Sequence, residues 1–195
     1  MGWSFHQFKR VDFDMSKLDK LTKIVVEIVS DNVWPWCYVA KRHLDEAIKH
    51  VKAKHNNLVE VEINWIPFFL DPTRSVTETK AQAYKKKFGV DDVKTHPMFQ
   101  RLIDVGKTLD PPIMFDYGGN ISNTLKSHRL LEWAHTKRSH QQHTLIEHVF
   151  TAYFEQQKDQ GLDGVLLEAV DKANANLAPG EQIDKVEAER VIQSD

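Results

Sequence analysis

The apolar positions near the start of the chain fall into three segments. Residues 24–29 (IVVEIV) form a short β-branched run, which is typical of a buried strand. Residues 39–54 place apolar side chains at roughly helical spacing, and residues 58–66 alternate in part with period two. Because a helix of about 18 residues separates the two strands, they are expected to lie parallel. The pattern predicts a β-α-β unit.

From residue 75 onward the apolar positions follow helical spacing. The predicted helices span residues 78–88, 97–107, 123–137, 141–157 and 185–192. An apolar stripe at steps of three and four over residues 145–154 predicts a deeply buried helix face. Asp184, three residues before Glu187, is a candidate N-cap for the last helix. Residues 113–115 form either a short strand or a tether.

This organisation predicts three parts. Residues 1–22 form a polar N-terminal extension, residues 23–72 the N-terminal half of an α/β domain, and residues 73–195 a helical domain.

The junction between the first strand and the first helix holds the most specific residues. Residues 30–38 have the sequence SDNVWPWCY, with Pro35 at the predicted start of the helix and Cys37 as the sole cysteine. Proline suits a first helical turn because its missing N–H is not needed there. Helix N-termini stabilise thiolates, as in Cys-x-x-Cys redox sites, so the segment has the form of a redox motif that lacks its first thiol.

Residues 29–42 resemble the strand-to-helix motif of the FrnE-like branch of the DsbA family, in which Cys-Pro-Trp-Cys-Tyr precedes a small residue and a basic pair. Two later segments, WIPFFLDP at residues 65–72 and residues 118–130, resemble its second strand and the entry to its long helix. The resemblance implies a thioredoxin-like fold of DsbA type with a large helical domain. The 2-hydroxychromene-2-carboxylate isomerases and kappa-class glutathione transferases share that fold.

The resemblance also implies thiol–disulfide oxidoreductase chemistry, and Trp34 departs from it. In the family the first cysteine of the motif attacks and the second resolves the mixed disulfide. Indole does neither, and it does not replace the serine of the glutathione transferases. Cys37 therefore stands alone, either as a small buried hydrophobe or as a reactive monothiol. Trp34, Pro35 and Trp36 are the remaining active-site motif positions.

A second departure concerns the C-terminal strands of the fold. Family members continue with a helix-strand-strand-helix segment that contains a cis-proline loop, and nothing after residues 164–170 matches it. We expect a sheet that lacks those strands and has an open edge. Either another chain, such as a second copy, pairs with that edge, or the chain is a shortened product that folds poorly.

The family's long helix packs near the motif, which implies ligand-binding residues at its start. Asn123, His128 and Arg129 are the candidates for lining a cleft that holds an anionic or peptide ligand, with glutathione as one thiol ligand. The alternative is structural: Asn123 caps the helix and His128 bonds within the domain interface.

The amino-acid composition limits the classes of partner that we expect. The 26 basic and 28 acidic residues leave a net charge of −2, which predicts no broad attraction to nucleic acid or membrane. We expect a cytoplasmic protein, because residues 1–22 have no signal-peptide core and no stretch has transmembrane length. A metal site built from His140, His143 and Glu147 is the weaker alternative to a solvated helix face. No cofactor is predicted.

Two functions remain open. One is a weakened oxidoreductase that uses Cys37 as a monothiol. The other is a non-catalytic thioredoxin-like protein that binds a ligand or partner on the retained scaffold.

Overall fold

The computed structural model describes residues 21–194, so the predicted extension lies almost wholly outside the described residues. The elements in chain order are β1 (Thr22–Ser30), α1 (Pro35–Lys54), β2 (Val59–Pro67), β3 (Glu78–Thr79), α2 (Lys80–Phe88), α3 (Pro97–Thr108), β4 (Asn120–Ile121), α4 (Leu125–Phe154), α5 (Asp163–Asn174) and α6 (Lys185–Gln193).

The predicted β-α-β unit is confirmed. β1 and β2 pair in parallel, from Thr22 opposite Val59 to Ser30 opposite Pro67, with α1 between them in sequence. Within the described part of the chain this sheet has two strands, and β3 pairs separately with β4 as a two-residue antiparallel ladder that periodicity did not predict. One sheet face turns towards the core through β1 residues such as Ile24 and Ile28, while the other is exposed.

The helical predictions are confirmed except in the middle of the chain. The two helices expected over residues 123–137 and 141–157 form one 30-residue helix, α4. The sequence between them, residues 138–140, contains neither glycine nor proline, so nothing breaks the helix there. Residues 113–115 form a tether, and Ile113 is fully buried.

The core lies along α4. Its predicted apolar stripe is confirmed, since all six side chains are at most 1% exposed: Leu145, Ile146, Val149, Phe150, Tyr153 and Phe154. Tyr38 of α1 stacks on Phe150, with ring centroids 5.1 Å apart, and Trp65 of β2 meets the same ring edge-on at 6.1 Å. The helix α4 therefore joins α1 and β2 in one core.

Capping residues fix several helix starts. The carboxylate of Asp184 accepts hydrogen bonds from the backbone N–H groups of Val186 and Glu187, which confirms the predicted N-cap of α6. Thr79 and Gln82 form a capping box that begins α2. Among the helices of residues 21–194, none is long and apolar enough to cross a membrane. The division of the chain at residues 22 and 72 stays a prediction.

Candidate functional site

The motif lies where sequence analysis predicted, at the start of α1. Trp34 is the N-cap residue with an extended backbone (φ −98°, ψ 112°), and Pro35 begins the helix. The N–H of Cys37 donates to the Trp34 carbonyl at 2.9 Å, which closes the first turn. The motif positions therefore have the backbone arrangement of a helix-terminal redox site, with indole at its first position.

The one thiol of the chain is not activated by this environment. Cys37 is half-buried and packs against the core beside Trp36. Burial raises the pKa of the Cys37 thiol, and the charge of Asp31 raises it further. Hydrogen bonds with the Ser30 side chain and the Asp31 backbone oppose this rise in pKa without cancelling it. A reactive cysteine at a helix N-terminus has the opposite shift in pKa.

The turn before the motif is held by a buried carboxylate. Asp31 is 2% exposed, and its side chain accepts hydrogen bonds from the backbone N–H groups of Leu70, at 2.6 Å, and Val33, at 3.3 Å. These bonds fasten the segment after β2 to the segment before α1. Asp31 is thus a positioning residue that sequence analysis did not single out.

His128 lies behind this turn. It is 3% exposed, its ring meets Phe69 edge-on at 4.6 Å, and its Nδ1 lies 3.4 Å from the Asn32 side-chain amide. Asn32 also donates to Ser127 Oγ at 3.0 Å, and Asp31 Oδ1 lies 3.5 Å from His128 Nε2. Within residues 21–194, Asn32 Oδ1 and His128 Nε2 have no hydrogen-bond partner. The geometry corresponds to the domain-interface alternative for His128.

The other two predicted ligand residues bond elsewhere. The Asn123 amide donates to the Arg74 carbonyl at 2.9 Å, and its oxygen accepts from the Leu125 N–H at 2.8 Å. Arg129 donates to the Ser194 carbonyl. Asn123, His128 and Arg129 thus do not meet in one cleft in this structure, and their role in ligand binding stays a prediction.

A cavity of about 110 Å³ opens beside the motif. The large apolar side chains of its wall are Trp34, Pro35, Trp36, Leu70, Tyr84, Phe88, Met98, Phe99, Leu102 and Ile121. Three motif positions therefore line the cavity, whereas Cys37 is not among its lining residues. The sequence did not predict that α2 and α3 form part of this wall, because only tertiary packing brings these helices to the motif.

Charged side chains form part of the cavity wall. Arg74 pairs with Asp71 at 3.0 Å and with Glu78 at 2.8 Å, so its charge is compensated within the protein. Lys87 also lines the cavity and is exposed. Its contact with the Phe88 ring, 5.7 Å from the centroid, leaves the ammonium group accessible to an anion.

The histidine candidates for a metal site are placed differently. His143 Nδ1 accepts from the Trp65 indole N–H at 3.0 Å, and Nε2 lies 2.6 Å from Asp45. Because indole only donates, the proton of His143 is on Nε2 and points to the carboxylate. Glu147 pairs with Lys41 and Arg42 at 2.8 and 2.6 Å. Within the described residues no three potential metal ligands come together.

Comparison with known proteins identifies the fold. A solved structure of a probable DsbA oxidoreductase from Streptomyces coelicolor has a TM-score of 0.69 to this chain. The two chains are 21% identical, and the match covers 87% of this chain and 68% of that one. Among proteins of curated function, none matches. The likeness confirms the predicted thioredoxin-like fold of DsbA type with a helical insertion.

The family itself follows from the sequence. Residues 25–193 match the model of the DSBA-like thioredoxin domain, a domain type associated with thiol–disulfide oxidoreductases. The match includes β2, the long helix and all but the first residues of β1, with the motif at the start of α1 between the strands. The chain therefore belongs to the family of DSBA-like thioredoxin domains.

Proposed function

We propose that this DSBA-like chain binds an apolar side chain of a peptide beside Trp34 and does not exchange disulfides. The observation that carries the proposal is the position of the indole. Trp34 stands at the first position of the motif, where a dithiol enzyme has its attacking cysteine, and forms part of the cavity wall.

The properties of the single thiol support the absence of disulfide exchange. Intramolecular disulfide chemistry needs two thiols, and the chain has one cysteine. A monothiol nucleophile needs a thiolate at neutral pH and an accessible sulfur. Because burial raises the pKa of Cys37, its thiolate fraction at pH 7 is smaller than that of a free cysteine.

The size of the cavity supports a single side chain as the ligand. Pockets that enclose whole small molecules measure about 300–1,000 Å³, and an apolar cavity of about 150 Å³ holds benzene. A cavity of about 110 Å³ therefore suits one aliphatic side chain or, with small movements of its walls, one aromatic ring. The rest of the peptide lies outside the cavity.

One charged group of the wall, Lys87, supports an acidic residue next to that side chain. The two carboxylates that also line the cavity are engaged, since Asp31 accepts two backbone N–H bonds and Asp71 pairs with Arg74. Arg74 is compensated by Asp71 and Glu78. Lys87 has no carboxylate partner among the described residues. A peptide carboxylate adjacent to the buried side chain pairs with Lys87, so the ligand class is an apolar residue beside Asp or Glu.

Binding is tested by titrating the full chain with the blocked dipeptides acetyl-Phe-Glu-amide and acetyl-Ser-Glu-amide. The indole N–H of Trp34 serves as the NMR probe. We expect saturable shifts with the first peptide and none with the second. Ala83→Leu, which adds volume at the cavity wall, abolishes the shifts, whereas the matched variant Cys37→Ser preserves them because binding does not use the thiol.

The absence of disulfide exchange is tested separately. The rate at which iodoacetamide alkylates Cys37 is measured as a function of pH. A rate that still rises above pH 9 supports the proposal. A plateau below about pH 7, or loss of peptide binding in Cys37→Ser, overturns it in favour of a monothiol oxidoreductase. Insulin reduction by Trp34→Cys then measures whether the missing nucleophile is the sole defect of the exchange chemistry.

Three finer assignments accompany this proposal. The sequence of residues 29–42 supports a place in the FrnE-like branch of the family. A cytoplasmic location and glutathione as a thiol ligand stay predictions.

A further inference from the structure

The two edges of the β1–β2 sheet are covered differently. At the outer edge of β2, the Gln142 side chain of α4 accepts from the Trp65 N–H at 2.8 Å and donates to the Trp65 carbonyl at 2.9 Å. Within residues 21–194, no strand or side chain pairs with the outer edge of β1. An uncovered strand edge is a template for pairing with another strand.

The outward groups of β1 follow from its bonds to β2. Thr22 donates its N–H to Leu58, and the Ser30 carbonyl accepts from Phe68, so the even-numbered residues of β1 bond towards β2. The odd-numbered residues then point their N–H and C=O groups outward. Their side chains also form the exposed sheet face, where Val25 is 53% and Val29 is 61% exposed.

The outward residues are self-complementary. Antiparallel pairing of two β1 strands about a two-fold axis through Val25 sets Val25 against itself and Lys23 against Glu27 of a second copy. The same register sets Leu21, 62% exposed, against Val29. Every pair of outward residues in this register is therefore either apolar with apolar or positive with negative.

The alternative registers lack this match. Outward residues pair only with outward residues, so the strands can shift only in steps of two. A shift one way sets Lys23 against Val25, and a shift the other way sets Lys23 against Val29. Both shifts remove the two symmetry-related charge pairs. The Lys23 ammonium, now 2.5 Å from Glu62, has three donors and can keep that bond while facing Glu27.

We propose that β1 is a homodimer interface, through which two copies of this chain form one four-stranded sheet centred on Val25. The closed two-fold arrangement uses the same edge of both copies. In each copy the Gln142 side chain occupies the outer edge of β2 at Trp65. The interface uses no residue of the cavity beside Trp34. The tests of the dimer and of ligand binding can therefore succeed or fail independently of each other.

The first test is the mass of the full chain in solution, by sedimentation over a range of concentrations. We expect a dimer. Glu27→Lys sets like charges opposite each other twice and raises the dissociation constant by on the order of tenfold. The double variant Lys23→Glu with Glu27→Lys restores the dimer, because the charge pairs reappear with reversed sign. Glu132→Lys, the same charge change at an exposed position of α4, is the matched control and leaves the dimer unchanged.

The second test removes an outward backbone donor. Val25→Pro deletes an N–H that points away from β2, so the ladder of the sheet keeps its bonds and the dimer is lost. Hydrogen exchange at residues 23, 25, 27 and 29 gives a separate readout: we expect protection that increases with protein concentration. A monomer with unprotected outward amides overturns the proposal. So does a monomer with concentration-independent protection, which assigns the edge to residues of the same chain.

Discussion

The C-terminal half of α4 and the outer face of β1 are opposite environments for apolar side chains. Leu145, Phe150 and Tyr153 are fully buried, whereas Val25 and Val29 are more than half exposed. Burial of apolar area is the main stabilising contribution to a fold. α4 and its contacts therefore supply most of the stability, and the motif is held in place from the inner side of the sheet.

The largest expected effect on stability comes from removing a buried side chain on the inner side of the sheet. Phe150→Ala removes a ring that contacts both Tyr38 and Trp65, and we expect the free energy of unfolding to fall by about 3–5 kcal/mol. Urea denaturation followed by circular dichroism measures it. Phe68→Ala, on the outer face and 47% exposed, is the matched control and costs less than about 1.5 kcal/mol. Equal losses would contradict the comparison.

A second prediction concerns a buried lysine at the start of α2, which contacts the end of α4. Lys80 is 1% exposed, donates to the Tyr153 carbonyl at 2.5 Å and lies 3.8 Å from the centroid of that ring. Burial lowers the pKa of Lys80 to about 8, against the attraction of Asp116 and Asp159.

The unfolded chain therefore binds this proton more tightly than the folded chain. The contribution of Lys80 to stability is least favourable below pH 8 and improves as the pH rises towards about 10.4, by about 3 kcal/mol in total. We expect the stability of the wild type relative to Lys80→Met to increase between pH 7 and pH 10 in urea titrations. A difference that is constant with pH would show that the lysine is not buried in its charged form.

A third prediction tests the link between α1 and α4. Burial alone would raise the pKa of Asp45, but hydrogen bonds from His143 and Lys41 outweigh burial and lower it to about 2. Since the folded pKa lies below the unfolded one, the stabilisation is present above about pH 4 and is lost as the pH falls towards 2.

Asp45→Asn should therefore cost about 2 kcal/mol at pH 7 and much less near pH 2. Guanidinium denaturation at both pH values gives the two differences. Exposed Glu46, one residue further along α1, supplies the control Glu46→Gln, which removes a carboxylate but keeps the bonds of Asp45 to His143 and Lys41 and should cost no more than about 0.5 kcal/mol at pH 7. A cost of Asp45→Asn that persists at pH 2 would assign the effect to packing.

The smallest effect is expected on the outer face. Val29→Thr keeps the shape of a side chain that is 61% exposed, so the free energy of unfolding should change by no more than about 0.5 kcal/mol. Thermal unfolding at low protein concentration measures it. A loss above about 1.5 kcal/mol, three times the usual surface effect, would mean that this face is covered in solution.

Local patterns predicted the elements, and long-range contacts decided the site. β1, α1, β2 and the Asp184 cap follow from apolar spacing and turn chemistry within a few residues. The cavity wall from α2 and α3 depends on packing between segments far apart in sequence. The spacing of apolar residues within one segment carries no information about such contacts. The capping box of Thr79 with Gln82 was a usable signal for the start of α2.

Polar residues were harder to assign than apolar ones. Gln142 lies 77 residues from Trp65 in sequence, and nothing in its own neighbourhood distinguishes a strand-covering glutamine from a surface one. Asp31 stood in the motif, yet its bond to the Leu70 N–H depends on where β2 ends. The resemblance to a family located the motif, and the structure supplied what surrounds it.

The bond between Gln142 and Trp65 also sets an order of events on the ribosome. At about 5–20 residues per second, synthesis of the 77 residues that follow Trp65, up to and including Gln142, takes roughly 4–15 s. During that interval β1 and β2 have left the ribosome's active centre while the helix that covers β2 is still being made. Once β2 has passed the exit tunnel, its outer edge lacks the cover of Gln142 until α4 follows, so translation speed between the second strand and α4 controls how long that edge is open to chaperones.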